Sequence, residues 1–200
     1  MNHIGNLGHS AILFPASLVV VGYLLWLDRR ADAVAFAAAL TTDVLATLVA
    51  KLMIYACEPK VQLLGIESPS GHASFSAVFY RCVCLLAGAG RSLWQRAGIY
   101  GGTILFVVLV GLSRVVVEAH TLRDVIAGTC IGVMSILLFQ MLRGPTRPIA
   151  VPLRVIAFGI PVSAVLALTI LVFARNWTPE DLIESAGLRL DRFLGVCMSL

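Results

Sequence analysis

Charged residues are scarce in this chain. Asp, Glu, Lys and Arg make up 13% of its 200 residues, whereas 59% are apolar and the mean hydropathy is +0.93. An ordinary soluble domain is about a quarter charged and about half apolar. The composition therefore argues against a soluble globular domain and predicts a membrane protein.

Three further features are missing from the sequence. No Lys or Arg precedes the first apolar run, whereas Arg29 and Arg30 follow it. A cleavable signal peptide has the opposite charge order, so we expect a retained first span with its N-terminus outside. The five cysteines show no zinc-site spacing, and we expect them to be buried free thiols. A cluster of carboxylates suited to Mg²⁺ is also missing.

Long apolar runs occupy most of the sequence. The six runs cover residues 11–27, 33–55, 73–89, 97–117, 125–142 and 155–173. Each is close to the roughly 20 residues that a helix needs to cross a bilayer. They predict an all-α, polytopic membrane protein, with a bundle of six transmembrane helices over residues 1–174. The remaining residues, 175–200, are predicted to form an amphipathic C-terminal tail.

Basic residues are distributed unevenly between the two sets of loops. The loops after spans two and four hold only Lys60 and Arg123, once Lys51 and Arg114 are set aside as site residues. The loops after spans one, three and five hold Arg29, Arg30, Arg91, Arg96, Arg143, Arg147 and Arg154. Cytoplasmic loops are enriched in Lys and Arg, so the outer ends of spans two to five should face a periplasm or the cell exterior. The net charge of +4 mostly comes from these basic loops, and the sequence shows no basic patch of the kind that binds nucleic acid.

Several residues inside the predicted spans have expected packing roles. Asp43 in span two and Arg81 in span three lie at similar depth, and buried charges are usually paired. We therefore predict an ion pair between them. Small residues four apart allow close helix packing, which is predicted for Gly98, Gly102, Gly128 and Gly132.

Three residues at the junction of spans four and five have the types expected of a phosphate site: Arg114, His120 and Asp124. If a helix begins near His120, then Asp124, four residues on, shares its face. The carboxylate can then hold one imidazole nitrogen and leave the other free as a nucleophile. Arg114 supplies a permanent set of donors for phosphate oxygens. This stretch therefore predicts a phosphate-handling site at a membrane surface.

The start of span three predicts a second part of the same site. Its sequence, Ser-Pro-Ser-Gly-His at 68–72, is a good helix start. Free amides and the positive end of the helix dipole attract anions there. Gly71 lets the backbone approach a phosphate closely, and His72 can reach the same ligand. Lys51 lies near the outer end of span two, on the same side of the membrane.

These motifs resemble the signatures of the type 2 phosphatidic acid phosphatase superfamily. The resemblance rests on the Pro-Ser-Gly-His sequence at 69–72, and on Ser113-Arg114 followed by His120 and Asp124 at the family's spacing. It covers the core from span two to span five. The vanadium haloperoxidases share these motifs but are soluble, so the membrane phosphatases are the better match.

The resemblance implies a lipid phosphatase that needs no metal or other cofactor. By this resemblance His120 attacks phosphorus and forms a phosphohistidine, Asp124 orients it, and His72 protonates the leaving oxygen. The groups expected to hold the phosphoryl oxygens are Lys51, Ser70, Gly71 and Arg114. The implied partners are a lipid phosphate substrate and membrane lipids.

One position departs from the family's first motif, which has Lys, six residues and then Arg-Pro. Here Lys51 is followed by Glu58-Pro59. A glutamate in the place of a phosphate-binding arginine should repel the ligand. Lys60 or Arg123 would then restore the cation, or Glu58 would contact a substrate headgroup. We treat these three residues as candidates for tuning substrate choice.

The sequence leaves the substrate and part of the function open. A minimal enzyme with an outward-facing site favours an isoprenoid diphosphate such as undecaprenyl diphosphate, and phosphatidic acid and phosphatidylglycerol phosphate are the alternatives. A lipid phosphotransferase using the same phosphohistidine is an alternative function. A second alternative is a non-catalytic lipid-binding relative, with Glu58 marking a decayed site. The oligomeric state is not predicted.

Overall fold

A computed structural model describes residues 10–57, 65–143 and 183–189 of the chain. These residues contain no β-strand, and their five long helices are α1 (Ser10–Trp26), α2 (Arg30–Ala56), α3 (Gly71–Ala87), α4 (Leu93–Val116) and α5 (Leu122–Leu142). The helices coincide with the first five predicted spans, so the all-α prediction is confirmed for this part of the protein. The sixth predicted span, 155–173, lies outside the described residues.

Three of the helices are long and apolar enough to cross a membrane, namely α2, α4 and α5. The other two, α1 and α3, are apolar but have only 17 residues each. Many large apolar side chains on α4 and α5 point outward, including Leu105 at 61% exposure and Met134 at 68%. Such exposure suits contact with lipid rather than water. These helices indicate an integral membrane protein.

The core of the bundle lies where α2, α3 and α5 meet. Phe36 of α2, Val78 of α3 and Phe139 of α5 are fully buried. The rings of Phe36 and Phe79 meet edge to face, with centroids 6.1 Å apart. The helix α3 contacts each of the other four long helices, α1, α2, α4 and α5, so it lies inside the described bundle.

Two glycines allow α5 to approach α3 closely. A Cβ atom at Gly132 would lie 2.9 Å from the carbonyl oxygen of Ser74, and one at Gly128 would meet the carbonyl of Ser70 at a still shorter distance. The predicted close packing is confirmed for this pair. At Gly98 and Gly102 of α4 a Cβ would meet no atom of the described residues within 4 Å.

The predicted ion pair between Asp43 and Arg81 is wrong. Asp43 is buried and accepts a hydrogen bond from the hydroxyl of Ser74, one helix away. The guanidinium of Arg81 lies over the ring of Tyr100 instead, 4.2 Å from its centroid. Depth along the two helices was predicted from residue number, but the direction in which each side chain points around its helix was not.

An ionic contact joins α2 and α5 at the end opposite to Lys51. Arg29 forms an ion pair with Asp32 in the first turn of α2. Arg143, just after α5, places its Nε 3.9 Å from Asp32 Oδ1. The start of α2 and the end of α5 therefore lie side by side, and the two helices run antiparallel.

The described part of the predicted tail rests on the last turns of α2. Residues 183–189 are helical, and a Cβ atom at Gly187 would lie 2.7 Å from Cβ of Tyr55 and 3.3 Å from the carbonyl oxygen of Leu52. Just beyond, Cys57 is disulfide-bonded, whereas Cys82, Cys84 and Cys130 are free. The expectation of buried free thiols is therefore wrong for Cys57, and it is wrong for Cys130 in its burial, because that thiol is exposed.

Candidate active site

Asp124 lies in the first turn of α5, where it forms a capping box with Thr121. The Thr121 hydroxyl accepts a hydrogen bond from the Asp124 amide at 3.2 Å. In return, Asp124 Oδ2 accepts from the Thr121 amide at 3.0 Å and from the Thr121 hydroxyl at 2.9 Å. This reciprocal arrangement satisfies amides that a helix start leaves unpaired. It fixes the position at which α5 begins, immediately after His120.

The same carboxylate holds the loop that leads into α3. Its Oδ1 accepts hydrogen bonds from the amides of Glu67 at 2.9 Å and Ser68 at 3.0 Å. The Asp124 carbonyl oxygen accepts a third bond, from the amide of Ser70, at 3.0 Å. The side chain is 1% exposed. Asp124 therefore joins the two motifs that lie more than 50 residues apart in the sequence.

His120 lies against this carboxylate. Its Nδ1 is 4.0 Å from Asp124 Oδ2, which is longer than a hydrogen bond but within the range of an ion pair. The imidazole side chain is 12% exposed. The predicted neighbours are thus brought together, although most of the acceptor capacity of Asp124 serves Thr121 and the 67–68 backbone. Sequence reasoning missed this second role.

Arg114 lies in the last turn of α4, next to His120 through the backbone. The Ala119 and His120 amides both donate to the Arg114 carbonyl, at 3.0 and 3.3 Å. The turn places Glu118 in the left-handed region, with φ of 56°, as in a Schellman helix end. The Nε of Arg114 is buried and makes no hydrogen bond to the described residues. This donor is available to an anion.

The helix α3 begins at Gly71, two residues later than the Ser68-Pro69 start that the sequence predicts. Ser70 is its N-cap, fully buried, and its hydroxyl accepts from the Ala73 amide at 3.5 Å. Gly71 and His72 are the first two residues of the helix and are partly buried. The helix start therefore presents backbone amides and an imidazole at the same end of the bundle as Asp124.

On α2 the structure adds a residue that sequence reasoning missed. Lys51 is 6% exposed, and Thr47 lies one turn before it on the same face. A Cβ on Gly71 would be 3.8 Å from Cγ2 of Thr47, so the two helices touch there. The Thr47 hydroxyl oxygen is buried and makes no hydrogen bond to the described residues. The spacing of four residues from Lys51 was the available signal.

The unpartnered hydroxyl of Thr47 is unusual within this structure. Other buried or half-buried hydroxyls of the described helices have partners. That of Ser74 donates to Asp43, and a carbonyl one turn earlier accepts from those of Ser17, Thr103, Thr129 and Ser135. Such back-bonding is the ordinary way to satisfy a helical hydroxyl. Next to Lys51 and Gly71, Thr47 thus has a buried hydroxyl with no hydrogen-bond partner among the described residues.

The three candidate tuning residues are only partly described. Arg123 is exposed, and its guanidinium lies across Gly65, where any Cβ would collide with it. Gly65 has φ of +62°, so the loop also needs glycine for its backbone conformation. Glu58 and Lys60 lie outside the described residues. Arg123 therefore contacts the loop that follows them in the sequence.

Comparison with known proteins decides the family. The profile of the PAP2 superfamily matches residues 53–148. A 22.5 kDa protein of the cps region of Klebsiella pneumoniae, itself uncharacterised, is 30% identical over 146 residues, which are 72% of this chain and 69% of that protein. The chain belongs to the PAP2 superfamily. This confirms the resemblance to type 2 phosphatidic acid phosphatases.

A second relative carries a functional name. Phosphatidylglycerophosphatase B of Bacillus subtilis (strain 168) is 28% identical over 156 residues, 72% of each chain. No solved structure matches the chain significantly. The PAP2 match contains the helices α3, α4 and α5. It includes His72, Arg114, His120 and Asp124, whereas Lys51 lies two residues before its start.

Among the described residues no group of three or more His, Cys, Asp or Glu side chains is arranged to hold a metal ion.

Proposed function

We propose that this PAP2 protein is a lipid phosphate phosphatase that works through a phosphohistidine on His120, at the outer face of the membrane. Membership of the PAP2 superfamily and the relative named phosphatidylglycerophosphatase B support phosphatase action on a membrane lipid. The observation that carries the proposal is the double attachment of Asp124, to the 67–70 segment and beside His120. It holds the two histidine-bearing motifs to one end of the bundle.

In the proposed first step Nε2 of His120 attacks phosphorus. An N–P bond forms while the P–O bond to the lipid breaks, and His72 gives its proton to the departing oxygen. Asp124 orients His120 from the Nδ1 side, where its Oδ2 lies 4.0 Å away. The lipid leaves as an alcohol, or as a lipid monophosphate where the substrate is a diphosphate.

In the second step water replaces the enzyme on phosphorus. His72 takes a proton from the water, whose oxygen attacks as the N–P bond breaks. Inorganic phosphate leaves and both imidazoles return to their starting state. Charge on the phosphoryl oxygens is met by Lys51, Arg114 Nε, the Ser70 hydroxyl and the Gly71 amide, which together form a preorganised set of donors.

Phosphatidylglycerol phosphate is our first candidate substrate, and the name phosphatidylglycerophosphatase B of the relative supports it. Phosphatidic acid and undecaprenyl diphosphate complete the set, because each offers a terminal phosphoryl group on a membrane anchor. The outward orientation rests on the basic loops, since Arg29, Arg91 and Arg143 all lie at helix ends remote from Asp124.

The test is phosphate release by the purified protein from these three lipids, with chelator present. Wild-type protein should release phosphate from at least one lipid, and His120→Ala should release none. Gln140→Ala, an exposed position at the far end of α5, is the matched control and should behave as wild type. A labelled lipid should leave an alkali-stable, acid-labile phosphoryl group on wild-type protein only. Silence across the panel, or equal release by His120→Ala, would overturn the proposal.

A further inference from the structure

The hairpin of α3 and α4 carries positive charge with no acid to balance it. Residues 68–117, which contain both helices, include no Asp or Glu. Three arginines lie in the half of this hairpin remote from Asp124, namely Arg81, Arg91 and Arg96. Among the described residues no carboxylate forms an ion pair with any of them. This end of the hairpin is therefore a cationic surface of the bundle.

Two of these arginines share one aromatic ring. The guanidinium carbon of Arg81 lies 4.2 Å from the centroid of the Tyr100 ring, and that of Arg96 lies 5.8 Å from it. The face of an aromatic ring attracts a cation, but it does not cancel the repulsion between two cations. An anion held by both guanidiniums removes that repulsion, because each can donate hydrogen bonds to a phosphate.

Arg81 extends from within α3 toward the end of that helix. The hydroxyl of Tyr100 would lie 2.9 Å from a Cβ atom at Gly88, so the Tyr100 ring lies along the last turns of α3. Because the guanidinium of Arg81 lies over that ring, its side chain reaches toward the membrane surface, as long basic side chains do near helix ends. Its Nη1 is buried and makes no hydrogen bond to the described residues. A buried charged donor of this kind calls for an acceptor.

The residues beside this pair of arginines fit a lipid surface. Helix α4 begins with a capping box between Ser92 and Gln95. Its first two residues, Leu93 and Trp94, are 77% and 86% exposed. Tryptophan is enriched where the hydrocarbon of a bilayer meets its headgroups. An exposed apolar pair next to two cations suits a phospholipid, whose chains and phosphate adjoin, better than it suits a free anion in water.

We propose that Arg81 and Arg96, which share the ring of Tyr100, bind the phosphate of an acidic phospholipid in the leaflet remote from the candidate active site. Both guanidiniums donate to the phosphate oxygens, and Leu93 and Trp94 contact the lipid chains. An acidic lipid is preferred over a zwitterionic one, because two cations repel a positively charged headgroup. This inference does not depend on the proposed phosphatase activity, since it concerns binding at the other end of the bundle.

Titration of the full-length protein with labelled lipid tests the site. Delipidated protein in neutral detergent is mixed with phosphatidylglycerol or phosphatidylcholine that carries a fluorophore on an acyl chain, and Kd is measured for each lipid. Wild-type protein should bind phosphatidylglycerol more tightly. Arg96→Gln and Arg81→Gln should each raise the Kd for this lipid about tenfold, the loss expected for one charge-assisted hydrogen bond. Arg81→Lys should also weaken binding, because an ammonium lacks the planar set of donors of a guanidinium.

Arg30→Gln is the matched control. Arg30 is an exposed arginine at the same end of the bundle, where it pairs with Asp28, and its loss changes the net charge equally. Its Kd values should match those of wild type. Arg96 is exposed as well, so Arg96→Gln should keep the wild-type melting temperature, and weaker binding by that variant is then not a result of unfolding.

Four results would overturn the proposal. Equal Kd values for the two lipids in wild-type protein would show that acidic lipids are not preferred. An equal rise in Kd with Arg30→Gln would show that only net charge matters. Wild-type Kd values in both Arg81→Gln and Arg96→Gln would show that the lipid binds elsewhere, the candidate active site included. Displacement of the labelled lipid by an equal concentration of inorganic phosphate or glycerol phosphate would show a site for free anions.

Discussion

The amide of Ser70 donates a hydrogen bond of 3.0 Å to the carbonyl oxygen of Asp124. This contact joins the N-cap of α3 to the first turn of α5, and it forms directly above Gly128, whose missing side chain leaves room for the Ser70 carbonyl. Two helix starts, each with free amides, are therefore held side by side. Positive helix ends in such proximity favour a shared anion between them.

Gly128→Ala should damage this junction. The added Cβ would meet the Ser70 carbonyl at less than any ordinary contact distance, so α5 must move away from the start of α3. Overpacking of this kind costs about 1–3 kcal/mol, and we expect a lower melting temperature together with loss of phosphate release. Gly102→Ala, with open space around its Cβ among the described residues, is the control. Equal melting temperatures for both variants would show that the junction tolerates displacement.

Asp124→Asn should affect both stability and activity. An asparagine has one acceptor oxygen in its side chain, so the donors from Glu67, Ser68 and Thr121 cannot all be satisfied. Each buried donor left unpaired costs about 1–3 kcal/mol. We expect a lower melting temperature and roughly 100-fold slower phosphate release, the lower end of what a positioned acid–base system contributes.

Asp32→Asn is the matched control for that variant. Asp32 is also buried and charged, but it pairs with Arg29 and Arg143 at the opposite end of the bundle. It should lower the melting temperature while the properly folded fraction keeps its rate of phosphate release. A similar loss of rate in both variants would mean that Asp124 acts only through general stability.

The helices themselves could be predicted because apolar runs of membrane length leave few alternatives. The approximate starts of α3, within 68–72, and of α5, near His120, were also predictable, whereas their caps, Ser70 and Thr121, came from the structure. The junction between them was not. It depends on backbone amides at 67 and 68 that carry no sequence signal, and on Asp124 having two oxygens free to reach them.

The failed predictions share one physical cause. Asp43 and Arg81 were paired by depth alone, but a turn of helix offers several directions at each depth, and Ser74 and Tyr100 were nearer partners. Cys57 was taken as free because spacing along the chain does not reveal a partner brought close by folding. Contacts set by rotation around a helix, or by chain ends returning to the bundle, require the three-dimensional structure.

Thr47→Val should lower phosphate release without lowering stability. Valine has nearly the same shape, and the hydroxyl it removes has no partner among the described residues, so the melting temperature should stay equal or rise. If the hydroxyl binds the phosphoryl group beside Lys51, its loss should slow release about tenfold, the equivalent of one hydrogen bond of about 1.4 kcal/mol. Thr47→Ser should restore the rate.

Thr129→Val is the control for this change. Its hydroxyl already donates to the Val125 carbonyl at 2.7 Å, so the rate should be unaffected by its removal. Full activity in Thr47→Val would show that the open hydroxyl takes no part in binding the ligand.

Glu58→Arg should raise phosphate release or change the preferred lipid. Glu58 stands seven residues after Lys51, where the PAP2 motif has an arginine, and a carboxylate near the phosphoryl group repels it. A charge-assisted hydrogen bond contributes about 1.5–3 kcal/mol, so the change should be about tenfold or more on at least one lipid of the panel. Rates at several lipid concentrations separate binding from turnover, because a cation that holds ground state and transition state equally lowers KM alone. Glu184→Arg, an exposed glutamate on the docked tail segment, makes the same charge change outside the motif. Equal rates and preferences for wild type and Glu58→Arg would show that position 58 does not face the ligand.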